Sequence, residues 1–309
     1  MSVISVVGSL NVDVSYRVAV MPVPGETVMA SDRARSFGGK GGNQAVAAAA
    51  LGGRVGFVGA VGHDEPGRLY LEHLRGLGVD VVGVEQVEHA DTGTATIFVD
   101  DAGENLIVVE PGANARLGPD WVGQHVREAA PDVVLAQLEV PVEALEAAAG
   151  ALPDAVVLVL NPAPMPAHGR DLGTLLDRVN VLVPNRKELG QLAGRDEPRT
   201  FDEVRECLQS LTFEGAVVVT LGADGAIVSE PGSKPHHVPA LMVDPVDTTG
   251  AGDAFCGALA HGIAEGRQLG ESVRRAVEVA GRSTLYRGAQ VTAPPRDDAG
   301  PEARRVAMT

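Results

Sequence analysis

The chain has 309 residues, 45% of them hydrophobic and 21% charged, enough apolar material for two average domains or one large α/β domain. Lys and Arg total 25 against 41 Asp and Glu, a formal net charge of −16 that argues against nucleic acid as a partner, because phosphate backbones are gripped by basic surfaces. No run reaches the roughly 18 to 20 apolar residues that span a bilayer, no basic segment precedes the first apolar run as it would in a signal peptide, and two cysteines, Cys207 and Cys256, suit a cytoplasmic protein rather than a disulfide framework.

In chain order, residues 3–7 form an apolar run without polar/apolar alternation, the pattern of a strand buried on both faces. Residues 12–37 then alternate in patches around a Val-Pro-Gly-Glu turn, and a glycine cluster opens a helix over 43–51. A buried strand at 55–61 and a helix at 67–77 follow, with Asp64 placed to cap the latter. Alternation returns over about 92–110 around Asp-Ala-Gly-Glu. Buried strands at 133–138, 155–160, 179–183 and 216–221 then intersperse with helices at 142–149, 171–178 and 201–211. This rhythm predicts an α/β fold: a three-layer α/β/α sandwich around a mostly parallel sheet, with a small antiparallel β-sheet lid from about 12–37 and 92–110, all in one domain over 1–309. Residues 293–309 read as a surface tail.

Ligands of open parallel sheets bind beyond the carboxyl ends of the strands. Asn11 and Asp13 follow the first run, Glu139 the run at 133–138, Asn161 that at 155–160, Asn185 to Glu188 that at 179–183, and Gly222 to Gly225 that at 216–221. Each alone is an ordinary turn or cap; together they define a cleft.

Asp247-Thr248-Thr249-Gly250-Ala251-Gly252-Asp253 runs into an apolar stretch with helical spacing. Glycines at a helix N-terminus offer free N–H groups and the positive end of the dipole to an anion. Asp253, in the first turn, has two readings: a complement to the dipole, or a base that takes the proton from a hydroxyl attacking phosphorus. The second cluster, Gly38-Gly39-Lys40-Gly41-Gly42-Asn43, is neither a Walker A loop nor G-x-G-x-x-G. It reads as a backbone packed against a small polar ligand, or as a hinge. His236-His237 reads as an exposed loop, and Cys256 and Trp121 as packing residues.

Gly39-Lys40-Gly41-Gly42-Asn43-Gln44-Ala45-Val46, Asn185-Arg186-Lys187-Glu188 and Asp247 to Asp253, in that order, resemble the three signatures of the ribokinase-like carbohydrate kinase family. The resemblance covers nearly the whole chain and implies ATP-dependent phosphorylation of D-ribose to ribose 5-phosphate. The alternatives it leaves are another small sugar or nucleoside, among them 2-deoxyribose, fructose, a ketodeoxy acid or adenosine, and a non-catalytic sugar-binding regulator. It implies Asp253 as general base and an anion hole from Gly250, Ala251 and Gly252. It puts the sugar at Asn11, Asp13, Gly39, Lys40, Gly41, Asn43, Glu139 and Asp253. The nucleotide falls to Asn185, Thr220, Leu221, Gly222, Ala223, Asp224, Gly225 and Gly252, and Mg²⁺ is organised through Asn185 and Glu188. A K⁺ ion is implied at Asp247, Thr249, Ser283, Tyr286, Gly288 and Thr292, and a homodimer through the β-lid. The chain departs from the family in its last helix, where Val277 falls at the position of an adenine-facing Asn and Arg282 reads as either solvent-facing or a ligand contact.

Overall fold

The computed structural model describes residues 2–166 and 172–290. In chain order the strands are β1 (Val3–Val7), β2 (Asn11–Val18), β3 (Ala30–Gly38), β4 (Arg54–Gly62), β5 (Asp80–Val87), β6 (Gly93–Val99), β7 (Asn105–Glu110), β8 (Val133–Gln137), β9 (Val157–Asn161), β10 (Val181–Leu182), β11 (Ala216–Thr220), β12 (Ala226–Ser229) and β13 (His236–Val238). The helices are α1 (Lys40–Ala50), α2 (Glu65–Gly76), α3 (Pro119–Ala129), α4 (Val142–Ala151), α5 (Gly173–Leu176), α6 (Arg186–Leu192), α7 (Phe201–Ser210), α8 (Ala251–Ala264) and α9 (Leu269–Ser283).

Nine strands form one sheet in the order β13-β12-β11-β10-β9-β8-β1-β4-β5. It is parallel throughout except where β12 and β13 return antiparallel beside β11. Successive residues alternate between its two faces. Ile4 and Val6 pack under α1, α2, α8 and α9, whereas Val7 joins the core beneath α3, α4 and α5. Under α6 and α7 a third cluster gathers Leu189, Val204, Cys207, Val217 and Val219. Both faces of the central strands are therefore dry, the reason their sequences lack alternation.

The second sheet has the order β3-β2-β6-β7. Here the structure corrects one expectation. Although β3 and β7 are antiparallel to their neighbours, β2 and β6 pair parallel, Asn11 opposite Gly93 through Arg17 opposite Val99. Both strands leave the main sheet from the carboxyl ends of parallel strands (β1 and β5), so they emerge in the same direction.

Other differences are local. The run at 179–183 yields only a two-residue strand, and the helix expected over 171–178 is confined to Gly173–Leu176, with Asp171 outside the described residues. The helices α3 and α6 and the strands β5, β12 and β13 had no clear signal. Asp64 caps α2 as expected, its Oδ1 accepting the Gly67 N–H at 2.8 Å. His236 and His237 lie on the edge strand β13 rather than in a loop. Trp121 is tied to the core by donating its Nε1–H to the Gly83 carbonyl.

Helix α8 is buried from Asp253 to Gly262, wedged between α1 and α9. Its contact with α1 depends on Gly257: a Cβ there would lie 2.5 Å from the Gln44 carbonyl oxygen. That close approach carries the first turn of α8 up to the start of α1, where the two glycine clusters of the sequence meet.

Candidate active site

The corner between β1 and β2 and the N-terminus of α1 interlock through backbone. Gly39 caps α1 with φ +83°, in the left-handed region open to glycine. A Cβ on Gly39 would lie 2.8 Å from the Asn11 nitrogen, and one on Gly41 2.7 Å from the Ser9 nitrogen. The glycines are therefore required by close packing rather than by a hinge. Glu139 fastens the corner: its Oε2 accepts both the Ser9 hydroxyl and the Lys40 N–H. Asp13, Lys40, Asn43 and Glu139 are thereby gathered near Asp253 in the first turn of α8, and Asn11 stands against Gly39 at the same corner.

Asp253 is buried there and accepts two side-chain hydrogen bonds, from Asn43 Nδ2 to Oδ2 at 2.9 Å and from Gln44 Nε2 to Oδ1 at 3.0 Å. Burial pushes its carboxyl above the usual range; Lys40 and the two amides oppose that rise, and Glu139 adds to it. Lys40 is the complement. Burial disfavours its charge, but Asp253, Glu139 and Glu188 outweigh burial and hold the ammonium above its usual value. Asp13 is displaced upward to about 7, by burial first and then by the charges of Glu139 and Asp253. One cation thus serves several acids, an arrangement suited to a ligand that brings hydroxyl donors.

The turn before α8 supplies N–H groups without acceptors inside the helix. Gly250 caps it at φ +75°, and a Cβ there would lie 2.5 Å from the Ala289 carbonyl oxygen. The Ala251 N–H is donated to the Thr248 carbonyl at 3.2 Å. Gly250 and Gly252 border a small cavity of about 160 Å³ together with Lys40, Asn161, Asn185, Glu188, Asp253 and Cys256. Cys256, read from sequence as core, is buried but belongs to this wall.

Asn185 and Glu188 close on each other as a capping box for α6: Glu188 accepts the Asn185 backbone and side-chain N–H groups at 2.8 and 2.9 Å, and the Asn185 Oδ1 accepts the Glu188 N–H at 2.9 Å. Burial raises the Glu188 carboxyl, while its bonds to Asn185 and the charge of Lys40 oppose the rise.

Beyond Asn185 and Gly252 opens a cavity of about 470 Å³. Thr220, Gly222, Ala223 and Gly225 line it. Leu221 instead turns into the core, and Asp224 pairs with Arg186 Nη2 at 2.7 Å on the surface. The sequence reading missed the opposite wall, formed by the loop Ala240 to Val243 and by Phe255, Ala280 and Gly281. The loop carries no residue-type signal; the helical members could have been found from the cavity-facing stripe of α8 and α9. Val277 lies in this wall, and Arg282 instead donates to Glu278 one turn earlier on α9.

The segments holding Asp247 and Gly288 are brought together: Asp247 Oδ1 accepts the Thr249 N–H and Oδ2 the Gly288 N–H, both at 2.9 Å. Ser283 ends α9 and Tyr286 stands on the turn that follows, its N–H bonding the Ser283 carbonyl. Thr292 lies outside the described residues.

A doubly covered parallel sheet with a carboxylate at a glycine-capped helix N-terminus, between a polar corner and an apolar slot, is the layout of a small-molecule phosphotransferase. A model of the pfkB family carbohydrate kinases matches residues 1–296. The ribokinase of Haemophilus influenzae is 35% identical over 301 residues, 96% of each chain, and the deoxyribokinase of Salmonella typhi is 34% identical over 94% of this chain and 95% of its own. The structure of Arabidopsis thaliana ribokinase complexed with ribose and ATP superposes with a TM-score of 0.83 at 32% identity, covering 95% of this chain and 96% of that one. The protein belongs to the pfkB family and is a carbohydrate kinase.

Proposed function

We propose that this kinase transfers the γ-phosphoryl group of ATP to the terminal hydroxyl of D-ribose, with Asp253 as general base. The observation that carries the reading is the position of Asp253: fixed by Asn43 and Gln44 on one side, and on the other bordering the small cavity that Gly250 and Gly252 line, with Gly252 also facing the larger one. The carboxylate takes the proton of the attacking hydroxyl, and a phosphoryl oxygen gathers charge beside the N–H groups of Gly250 and Gly252. Donors already in place there lower the barrier without reorganisation. Because Ala251 gives its N–H to Thr248, its share of that anion hole is the smallest. On the sugar side, Asn11, Asp13, Gly39, Lys40, Gly41, Asn43 and Glu139 hold the ring hydroxyls.

Glu188 keeps lone pairs beyond its bonds to Asn185, and oxygen donors are what Mg²⁺ takes. Bound there with nucleotide, partly through water, Mg²⁺ would neutralise phosphate charge. The Asp247 carboxylate, the hydroxyls of Thr249 and Ser283 and the carbonyls around Tyr286 and Gly288 offer an oxygen set for K⁺, and replacing K⁺ by a bulky organic cation is expected to lower activity. The small sheet acts as a lid over the sugar within a single domain. Its strand β7 exposes Leu106, Ile107, Val108 and Val109, each at least 45% accessible, an apolar edge that supports pairing with a second copy in a homodimer. No described helix is long and apolar enough to cross a membrane.

The test is ADP release with ATP, Mg²⁺ and K⁺ on D-ribose, 2-deoxyribose, fructose and adenosine. Selective turnover of ribose supports the reading. A higher kcat/KM for 2-deoxyribose replaces it with the second reading, which the 34% identity to a deoxyribokinase, beside 35% to a ribokinase, keeps in view.

A further inference from the structure

We propose that Gln44 is a positioning residue for the phosphoryl-transfer base: a hydrogen-bonded chain fixed by three strands of the main sheet turns its amide nitrogen, and never its oxygen, toward Asp253. The proposal rests on the reading of Asp253 as base.

The two ends of an amide have the same shape, so its orientation must come from its partners. The chain starts at the Val183 carbonyl, just past β10, which can only accept. Asn161, at the end of β9, donates its Nδ2–H to that carbonyl at 2.9 Å, so its Oδ1 faces away and needs a donor. Gln44 supplies one through Nε2 at 3.3 Å. From β8, Gln137 donates its own Nε2–H to the Gln44 Oε1 at 2.6 Å. With its oxygen taken by Gln137 and one amino hydrogen by Asn161, Gln44 has one hydrogen left, and that one meets Asp253 Oδ1 at 3.0 Å. Gln44 and Gln137 are both fully buried, so water cannot replace a lost partner. Rotating Gln44 by half a turn would set its oxygen against two acceptors and its amino group against a donor.

The consequence falls on Asp253. Both of its oxygens receive donors, Oδ2 from Asn43 and Oδ1 from Gln44, and a carboxylate that accepts hydrogen bonds is favoured in its ionised form. This opposes the burial that would otherwise keep the base protonated. The other groups bearing on its charge are Lys40 from α1, Glu139 after β8 and, from within α8, Cys256; Asp13 on β2 and Glu188 on α6 feel the same field. Gln44 alone among the donors is locked by a chain anchored in the sheet. Its substitution therefore changes both the place and the proton affinity of Oδ1.

Gln44→Leu keeps the volume and removes the donor. It is expected to lower kcat at pH 7 roughly 10- to 100-fold, to change KM for sugar and ATP less than about threefold, and to move the acidic limb of the kcat–pH profile upward by about one unit. The deficit then narrows at pH 9, a recovery that simple loss of packing does not give. Gln137→Leu, one bond further out, provides the same reading if the first variant does not fold. Its Oε1 already lacks a partner, so little else is lost, and a smaller shift of the same sign is expected. A folded variant whose acidic limb stays at the wild-type position, whatever its kcat, overturns the proposal. Asp253→Asn assayed in parallel separates the two ideas: near-wild-type turnover there defeats the reading of the base, independently of Gln44.

Discussion

Asn114 determines which end of Asn11 meets a ligand. Its Oδ1 accepts the Leu10 N–H at 2.9 Å, which forces its Nδ2 to donate to the Leu10 carbonyl at 3.0 Å and to Asn11 Oδ1 at 2.8 Å. Asn11 thus keeps its amino group as the part free to donate to a sugar oxygen. Asn114→Leu is expected to raise the sugar KM about tenfold and leave that of ATP unchanged. It also leaves the Leu10 N–H and carbonyl unpaired in the interior, at a cost of about 1–3 kcal/mol, read by denaturant unfolding.

Asp13 makes the sugar site sensitive to pH. Its folded-state pKa is raised from an ordinary 3.8 to about 7. The native protein therefore prefers the protonated acid, and the contribution to stability is full below about pH 4 and lost as pH climbs toward 7. Comparison with Asp13→Asn isolates it: the thermal midpoint of the wild type, relative to the variant, is expected to fall by a few degrees between pH 5 and 8. A hydroxyl donated to Asp13 favours the carboxylate, so sugar affinity should rise over the same interval in the wild type and stay flat in the variant. Calorimetric titration at several pH values measures both.

Tyr70 ties the root of the small sheet to Gln290, beyond α9. Its hydroxyl donates to the Gly38 carbonyl and accepts from Gln290 Nε2 at 3.0 Å, and its ring stacks on Phe37 at 4.6 Å. Tyr70→Phe preserves the stack and removes both polar bonds. A loss of about 1–2 kcal/mol is expected, with a severalfold higher sugar KM at unchanged kcat, because the sheet root rather than the reacting atoms is loosened.

The wall of the larger cavity offers a selective probe. Gly281 on α9 lines it, and a Cβ there would meet the Leu241 Cβ at 2.9 Å. Gly281→Val is expected to push the loop inward and raise the ATP KM at least fivefold with little change for sugar, as steady-state kinetics with each substrate varied would detect.

Much of this architecture was legible because burial writes itself into local sequence. Strands covered on both faces give unbroken runs such as 3–7 and 216–221, and the glycines at 39, 41 and 250 marked the places where backbone meets backbone. The polar residues that follow each strand point to the cleft from sequence alone. What stayed hidden depends on pairing over long separations. The parallel partnership of β2 with β6 is set by where both strands leave the sheet, not by their residues. Asn114 and Gln137 look like any buried amide, and Asn161 like any residue at a strand end, until their partners, from 22 to 117 residues away, are in place. The loop at Ala240 to Val243 reads as an ordinary connection, and only the cavity gives it a role.

The central claim is that Asp253 removes the proton from the attacking hydroxyl. Asp253→Asn, nearly identical in shape, should be measured for single-turnover phosphoryl transfer at saturating ATP and sugar, with sugar binding followed by calorimetry. Transfer slower by about 10²- to 10⁴-fold, with sugar affinity held within about fivefold, is the predicted result. Transfer within a few-fold of the wild-type rate would contradict it.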